Sequence, residues 1–255
     1  MSILDGYTLF VGACVGSFLN VCIHRLPLEE SVVRPRSRCP GCRGTIAWYD
    51  NIPIVSYLLL RGRCRHCKSG ISIEYPIVEG ITALLSLLLL RRFGLSWDFL
   101  VYAVFTAALI VVTGIDLHHR IIPDEISKPG IVLSLFTPLL LERHTFWDAA
   151  LGVIVGGGIL IVIRWAGTHV FKREAMGFGD VKLLAMIGGV LGYRSILFVL
   201  VFSSFLGSIV GLGARFLRNE REIPYGPFLS AAALIDLLWG EEIVRWYLTW
   251  ITPYP

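Results

Sequence analysis

The chain has 255 residues, of which 55% are hydrophobic and only 16% are charged, with a formal net charge of +4 and a mean hydropathy of +0.69. A water-soluble domain of this length carries roughly 25% charged residues, so an ordinary soluble globule is excluded. The apolar residues come in blocks of about 20, the length that crosses ~30 Å of hydrocarbon as a helix, which predicts an all-α polytopic membrane protein.

About eight transmembrane helices are expected in chain order. The first covers 3–23; no Lys or Arg precedes it, so it lacks the basic start of a secretory signal. A polar stretch follows, 24–74, long enough for a small domain inserted between the first and second spans. The next spans are expected over 75–90, 99–115, 122–141 and 147–163. A short glycine-rich one follows over 181–193, then spans over 195–214 and 225–239. The core 75–255 closes with Ile243, Trp246, Tyr247 and Trp250 at helical spacing, the pattern of an amphipathic helix lying in the membrane interface.

Basic residues orient these spans. With eight of them, one side receives the insert and the loops near 118–120, 164–176 and 214–223, which together hold sixteen of the 23 Lys and Arg; the other side receives five. The richly basic side is expected to be cytoplasmic, with both termini outside. Asp116 then ends an inward-running span and Asp180 begins an outward-running one, so both sit near the cytoplasmic face at similar depth.

An acid at membrane depth is costly and is retained mostly for function. Two carboxylates brought together can share one proton, as in aspartic proteases, which makes Asp116 and Asp180 the candidate catalytic pair. Each also has a structural reading: Asp180 as the N-cap of the helix that follows it, Asp116 as a boundary residue reaching water beside His118, His119 and Arg120. Gly177 and Gly179 ahead of Asp180 allow another chain to approach closely. Asp124 suits the first turn of the fourth span, and Asp236, far from the pair in depth, reads as structural. Lys182 could bias the pair or snorkel to the interface.

Cys39-Pro-Gly-Cys42 and Cys64-Arg-His-Cys67 form the second signal. Two Cys-x-x-Cys knuckles present four thiolates to one tetrahedral zinc, which leaves no open position for a catalytic water. Two disulfides are the alternative, disfavoured by a reducing cytoplasm. Cys14 and Cys22 read as packing residues of the first span.

These motifs together resemble the type IV prepilin peptidases, bifunctional leader peptidases and N-methyltransferases. The resemblance rests on Gly16-Ser17-Phe18-Leu19-Asn20-Val21 with Arg25-Leu26-Pro27, the paired knuckles with Asp50-Asn51-Ile52-Pro53 between them, and Tyr75-Pro76-Ile77-Val78-Glu79. It continues through Ile115-Asp116 with Ile122-Pro123-Asp124, Gly177-Phe178-Gly179-Asp180-Val181-Lys182, and Ile223-Pro224-Tyr225-Gly226-Pro227. It implies cleavage of the basic leader from prepilins and pseudopilins by Asp116 and Asp180 at the cytoplasmic face of the bacterial inner membrane. It also implies methylation of the new N-terminus with S-adenosylmethionine as donor, placed in the cytoplasmic region. No Rossmann-type glycine fingerprint marks a donor site there; Asn20, Asn51, Glu74 and Glu79 are polar residues that could serve one.

Two other classes compete. An ion-coupled transporter would use the aspartates as an ion path but gives no reason for the cysteine insert. A non-catalytic assembly scaffold with a zinc-stapled docking domain would need neither aspartate. The basic insert sits beside a lipid bilayer; its charges could attract anionic headgroups, but they read more readily as the topological signal alone. Nucleic acid is not an expected partner, because the insert is pinned between two spans and lacks an aromatic stacking platform.

Overall fold

The computed structural model describes residues 2–141, 144–172, 176–218 and 223–251. Part of the basic loop before Gly177 and most of that before Ile223 lie outside these. Among the described residues there are nine α-helices and no strand. They are α1 (Ile3–Arg25), α2 (Val55–Leu59), α3 (Glu74–Phe93), α4 (Trp97–His119), α5 (Asp124–Ser134), α6 (Phe146–Phe171), α7 (Phe178–Leu191), α8 (Tyr193–Arg218) and α9 (Gly226–Ile251). Four of them, α1, α4, α6 and α8, are long and apolar enough to cross a membrane. Two others, α3 and α9, are long, but α3 carries Glu74, Glu79, Arg91 and Arg92, and α9 carries Asp236, Glu241, Glu242 and Arg245.

The expected fourth and sixth spans are shorter than a membrane is thick. At 1.5 Å per residue, the 11 residues of α5 and the 14 of α7 reach only about 17 and 21 Å. In place of one helix over 122–141, α5 stops at Ser134 and a 3-10 turn follows at Thr137–Leu139. The cause is local: α5 runs through Pro129, but Pro138 opens the 3-10 turn, and proline has no backbone N–H to continue a helix. Conversely, α6 runs on to Phe171. The stretch beyond Gly240 is helical and continuous with α9; a side chain at Gly240 would collide with the half-buried Asp236 carboxylate one turn earlier, so the glycine preserves room for that acid.

The chain forms two compact units, Met1–Ile115 and Asp116–Pro255. In the first, α1 lies along α3. Gly12 and Gly16, one turn apart, let the helices touch: a Cβ on Gly12 would lie 2.8 Å from Ala83 Cα, and one on Gly16 2.7 Å from Glu79 Cα. Small residues at this spacing bring helix backbones together where lipid supplies no hydrophobic drive. Arg91 closes the far end by pairing with Asp5 at 3.2 Å.

In the second unit α7 is the central helix. It packs against α5, α6, α8 and α9, and every residue from Val181 to Leu191 except Lys182 is buried, as expected of a helix apolar all round. Gly188 on α7 and Gly152 on α6 face one another so closely that a Cβ on either would overlap the other's carbonyl oxygen. Neither backbone can yield. Gly188→Ala is therefore expected to cost about 1–3 kcal/mol, the range for overpacking a filled interior. A thermal-unfolding scan of the detergent-solubilised variant checks this, and an unchanged midpoint would contradict the tight crossing.

Candidate active site and metal centre

Asp116 stands in the last turn of α4 and Asp180 in the first turn of α7. Both are buried, 5% and 9% exposed, which removes the reading of Asp116 as a boundary acid in water. The N-cap of α7 is Gly177, so Asp180 is not the cap residue either. The Asp116 carboxylate acts electrostatically on that of Asp180, so the fold brings the two acids near one another.

Three segments hold them. The backbone N–H of Gly226, at the start of α9, donates to Asp116 Oδ2 at 3.0 Å. A Cβ at Gly226 would sit 2.6 Å from that oxygen and 3.3 Å from Ile122 Cδ1; a Cβ at Gly179 would sit 2.9 Å from Ile122 Cβ. Ile122 thus wedges between the two glycines, on the turn linking α4 to α5, and spaces the acid-bearing helix ends. The Tyr225 hydroxyl, 2.7 Å from Ser203 Oγ and 3.3 Å from Ser204 Oγ, anchors the Gly226 turn to α8.

The loop before Asp180 is tied from the other side. Arg164 of α6 donates to the Met176 carbonyl at 3.1 Å, and its guanidinium lies over the Phe178 ring at 5.6 Å. Lys182 Nζ lies over the same ring at 5.6 Å and also pairs with Asp124 on α5. Asp124 in turn holds Lys128 one turn on at 2.7 Å. Asp124 and Lys182 therefore join the helices on either side of the aspartates.

In the insert, Cys39, Cys42, Cys64 and Cys67 come together, their sulphurs all within 4.8 Å of one another. Cys39 Sγ and Cys67 Sγ are 3.7 Å apart, far from a disulfide and close to the ~3.8 Å edge of a tetrahedron with metal–sulphur bonds of about 2.3 Å. The knuckles share one design. The amides of Arg43 and Lys68 donate back to the carbonyls of Cys39 and Cys64, and both residues take a left-handed backbone, φ 58 and 59. The Ser69 hydroxyl beside Cys39 helps bring its thiol down to about 6, toward the thiolate that ligates metal. The residues fit one tetrahedral metal ion.

The second knuckle is tied to the turn before α2. Arg65 makes a bidentate pair with Asp50, 2.8 Å from Nε and 2.6 Å from Nη2, and lies over the Tyr49 ring at 5.5 Å. That guanidinium holds the Asp50 carboxyl below its usual range.

Comparison with known proteins places this architecture. Residues 10–93 match the bacterial Peptidase A24 N-terminal domain, and residues 103–212 match the type IV leader peptidase family. A prepilin leader peptidase/N-methyltransferase of Aeromonas hydrophila is 39% identical over 262 residues, covering 92% of this chain and 90% of its own. This chain belongs to the type IV leader peptidase family. A relative of the same name from Pseudomonas aeruginosa is 37% identical over 267 residues, covering 94% and 92%. One from Myxococcus xanthus is 46% identical over 205 residues, covering 80% of this chain and 61% of its own length. No solved structure matches.

The polar residues near the membrane surface have separate fates in this leader-peptidase family member. Asn20 donates to the Tyr75 carbonyl at 3.1 Å, joining α1 to the start of α3. Buried Glu79 accepts from the Ile54 amide at 2.7 Å and from the Ser17 hydroxyl. Ile54 has φ 61 and ψ −50, a conformation costing a β-branched residue about 1–3 kcal/mol, and Glu79 holds it there. Asn51 is exposed beside a cavity, and Glu74 opens α3. Ile122, Arg164 and Ser203 carry no sequence signal for their site roles; each is an ordinary residue whose partner lies far along the chain.

The Asp124–Lys182 pair invites a test. Either Asp124→Asn or Lys182→Gln is expected to lower kcat for peptide cleavage about tenfold with little change in KM, since misplacement of reacting groups costs rate rather than substrate binding. Placing both charges in reverse, Asp124→Lys with Lys182→Asp, should recover part of the loss. Wild-type kcat in both single variants would show that the pair does not position the site.

Proposed function

We propose that this chain is a membrane aspartic endopeptidase that cleaves the basic leader from prepilins and pseudopilins, and that it then methylates the new N-terminus. The observation that carries the peptidase reading is the juxtaposition of two buried carboxylates, Asp116 and Asp180, at the ends of two helices beside a glycine loop. The names of the relatives, prepilin leader peptidase/N-methyltransferase, supply the substrate class and the second activity.

The chemistry follows from like charges close together, which keep one proton between them. The ionised carboxylate takes a proton from water as its oxygen attacks the scissile carbonyl carbon. The protonated carboxyl hydrogen-bonds the carbonyl oxygen and stabilises the charge that develops there. The tetrahedral adduct collapses as the amide nitrogen takes up a proton and the carbon–nitrogen bond breaks. Leader carboxylate and mature amine leave, and the pair again holds one proton. The substrate's apolar helix lies in the bilayer beside the enzyme's membrane helices, and its cleavage point meets the aspartates at the cytoplasmic boundary.

The remaining assignments follow the charge pattern. The enzyme lies in the bacterial inner membrane with both termini outside and the cysteine insert, 24–74, in the cytoplasm. Four thiolates from two knuckles select zinc, and a closed four-sulphur shell gives it a structural role. S-adenosylmethionine supplies the methyl group, on the insert side of the membrane.

Purified protein in lipid, given a peptide with a basic leader, a glycine before the cut and an apolar helix after it, tests the reading. In oxygen-18 water, mass spectrometry should find one heavy oxygen in the new leader carboxylate and, with S-adenosylmethionine present, a 14 Da gain on the mature peptide, the mass of one CH₂ unit on going from N–H to N–CH₃. Intact peptide after prolonged incubation would exclude the protease and favour the transporter or the scaffold.

A further inference from the structure

The first unit holds a cavity of about 300 Å³ where the end of α1 meets the insert. Cys14, Phe18, Val21 and Arg25 line it at helical spacing. They share the face of α1 opposite Gly12 and Gly16, which touch α3. Because α1 is long and apolar enough to cross a membrane, this outward face meets acyl chains; Phe18 on it is 51% exposed. Cys14 lies eleven positions before Arg25, a rise of about 17 Å along the helix. That is close to the hydrocarbon depth of one leaflet, half of ~30 Å.

The insert supplies the other wall, with Arg36, Ser37 and Asn51. The cavity thus has an apolar half on a membrane helix and a polar half holding two guanidiniums, and no acid lines it. Of the nine Lys and Arg between His24 and Ile73, only Arg25 and Arg36 are lining residues, so these two are set apart from the general basic charge of the segment. Arg25 is oriented by one bond to the Ser31 carbonyl at 2.8 Å and, with five N–H groups in its fork, retains donors. Glu79 is not a lining residue; its carboxylate is taken up by the Ile54 amide at 2.7 Å and the Ser17 hydroxyl.

We propose that this cavity is a binding site for one acidic phospholipid, with its phosphate between Arg25 and Arg36, its glycerol head against Ser37 and Asn51, and an acyl chain along Val21, Phe18 and Cys14. The arginine fork matches phosphate oxygens in pairs. The apolar half selects a ligand that arrives from the bilayer and carries a tail. The lack of a lining acid selects the headgroup: the ammonium of phosphatidylethanolamine finds no counter-charge beside two guanidiniums, whereas phosphatidylglycerol brings only its anion. The lipid bridges α1 and the insert and offsets the mutual repulsion of the two cations. The site is independent of the chemistry at the aspartates, because all of its residues lie in the first unit.

Native mass spectrometry of the full-length, metal-loaded protein, released from nanodiscs of equal phosphatidylglycerol and phosphatidylethanolamine, tests this directly. The wild type should retain one phosphatidylglycerol per chain in preference to phosphatidylethanolamine. Arg36→Ala should weaken that retention about tenfold, the loss of a charge-assisted contact, and Arg36→Lys should recover part of it as a point charge. Val21→Trp fills the tail half, leaves both arginines in place and should weaken retention likewise. Arg63→Ala removes the same charge from an exposed position of the insert outside the cavity and should change nothing. Metal content and far-UV circular dichroism should match the wild type in each variant. Equal retention of the two lipids, or wild-type retention in both Arg36→Ala and Val21→Trp, would overturn the proposal. Equal losses in Arg36→Ala and Arg63→Ala would reduce the effect to net charge and overturn it too. Displacement of the lipid by millimolar inorganic phosphate would make this a free-anion site and remove the acyl half of the assignment.

Discussion

The second unit depends on one hydrogen bond and one side chain: the Gly226 amide on Asp116, and Ile122 between Gly226 and Gly179. A buried carboxylate is tolerated only when hydrogen-bonded or paired, and Asp116 meets that condition through a backbone donor from a segment 110 positions away in the chain. Any side chain at Gly226 would take the space of that oxygen. Ile122 then fixes how near the end of α4 comes to the start of α7. The separation of the two acids is thereby set by packing against backbone, which cannot swing away as a long side chain can.

Making α7 short and central follows from the same requirement. A full-length span would carry its first turn to the membrane surface, where an acid is fully solvated. A helix of 14 residues enclosed by α5, α6, α8 and α9 keeps its first turn inside the unit, yet near the ends of its neighbours. The glycines at 152 and 188 make this enclosure tight, and the Asp124–Lys182 pair completes it on the more polar side. The first unit solves a different problem by the same means: Gly12 and Gly16 bring α1 against α3, Asn20 ties α1 to the start of α3, and Glu79 ties both helices to the insert.

Much of this was legible in the sequence, because hydropathy and charge report directly on a membrane. The all-helical, membrane-type character of the chain and the meeting of the four cysteines followed from hydropathy and Cys-x-x-Cys spacing. What was not legible depends on contacts across long chain separations. Span length alone suggested that 122–141 would be one helix, but it ends at Ser134 ahead of the turn that Pro138 opens. Asn20 and Glu79 read only as polar residues near the insert; their bonds to the Tyr75 carbonyl and the Ile54 amide join segments 55 and 25 positions apart, which no local pattern announces. Ile122 looked like any apolar residue at a span edge, and nothing in its neighbours signals that two distant glycines leave room for it.

The central claim, that the two buried aspartates carry the cleavage, is tested most directly by replacing each with its uncharged isostere. Asp116→Asn and Asp180→Asn keep side-chain size and most hydrogen bonding while removing the acid. Cleavage of a prepilin-like substrate in lipid should fall below detection in each, with helicity and metal content unchanged. Normal cleavage by either variant would contradict the account, because a shared proton needs both carboxylates.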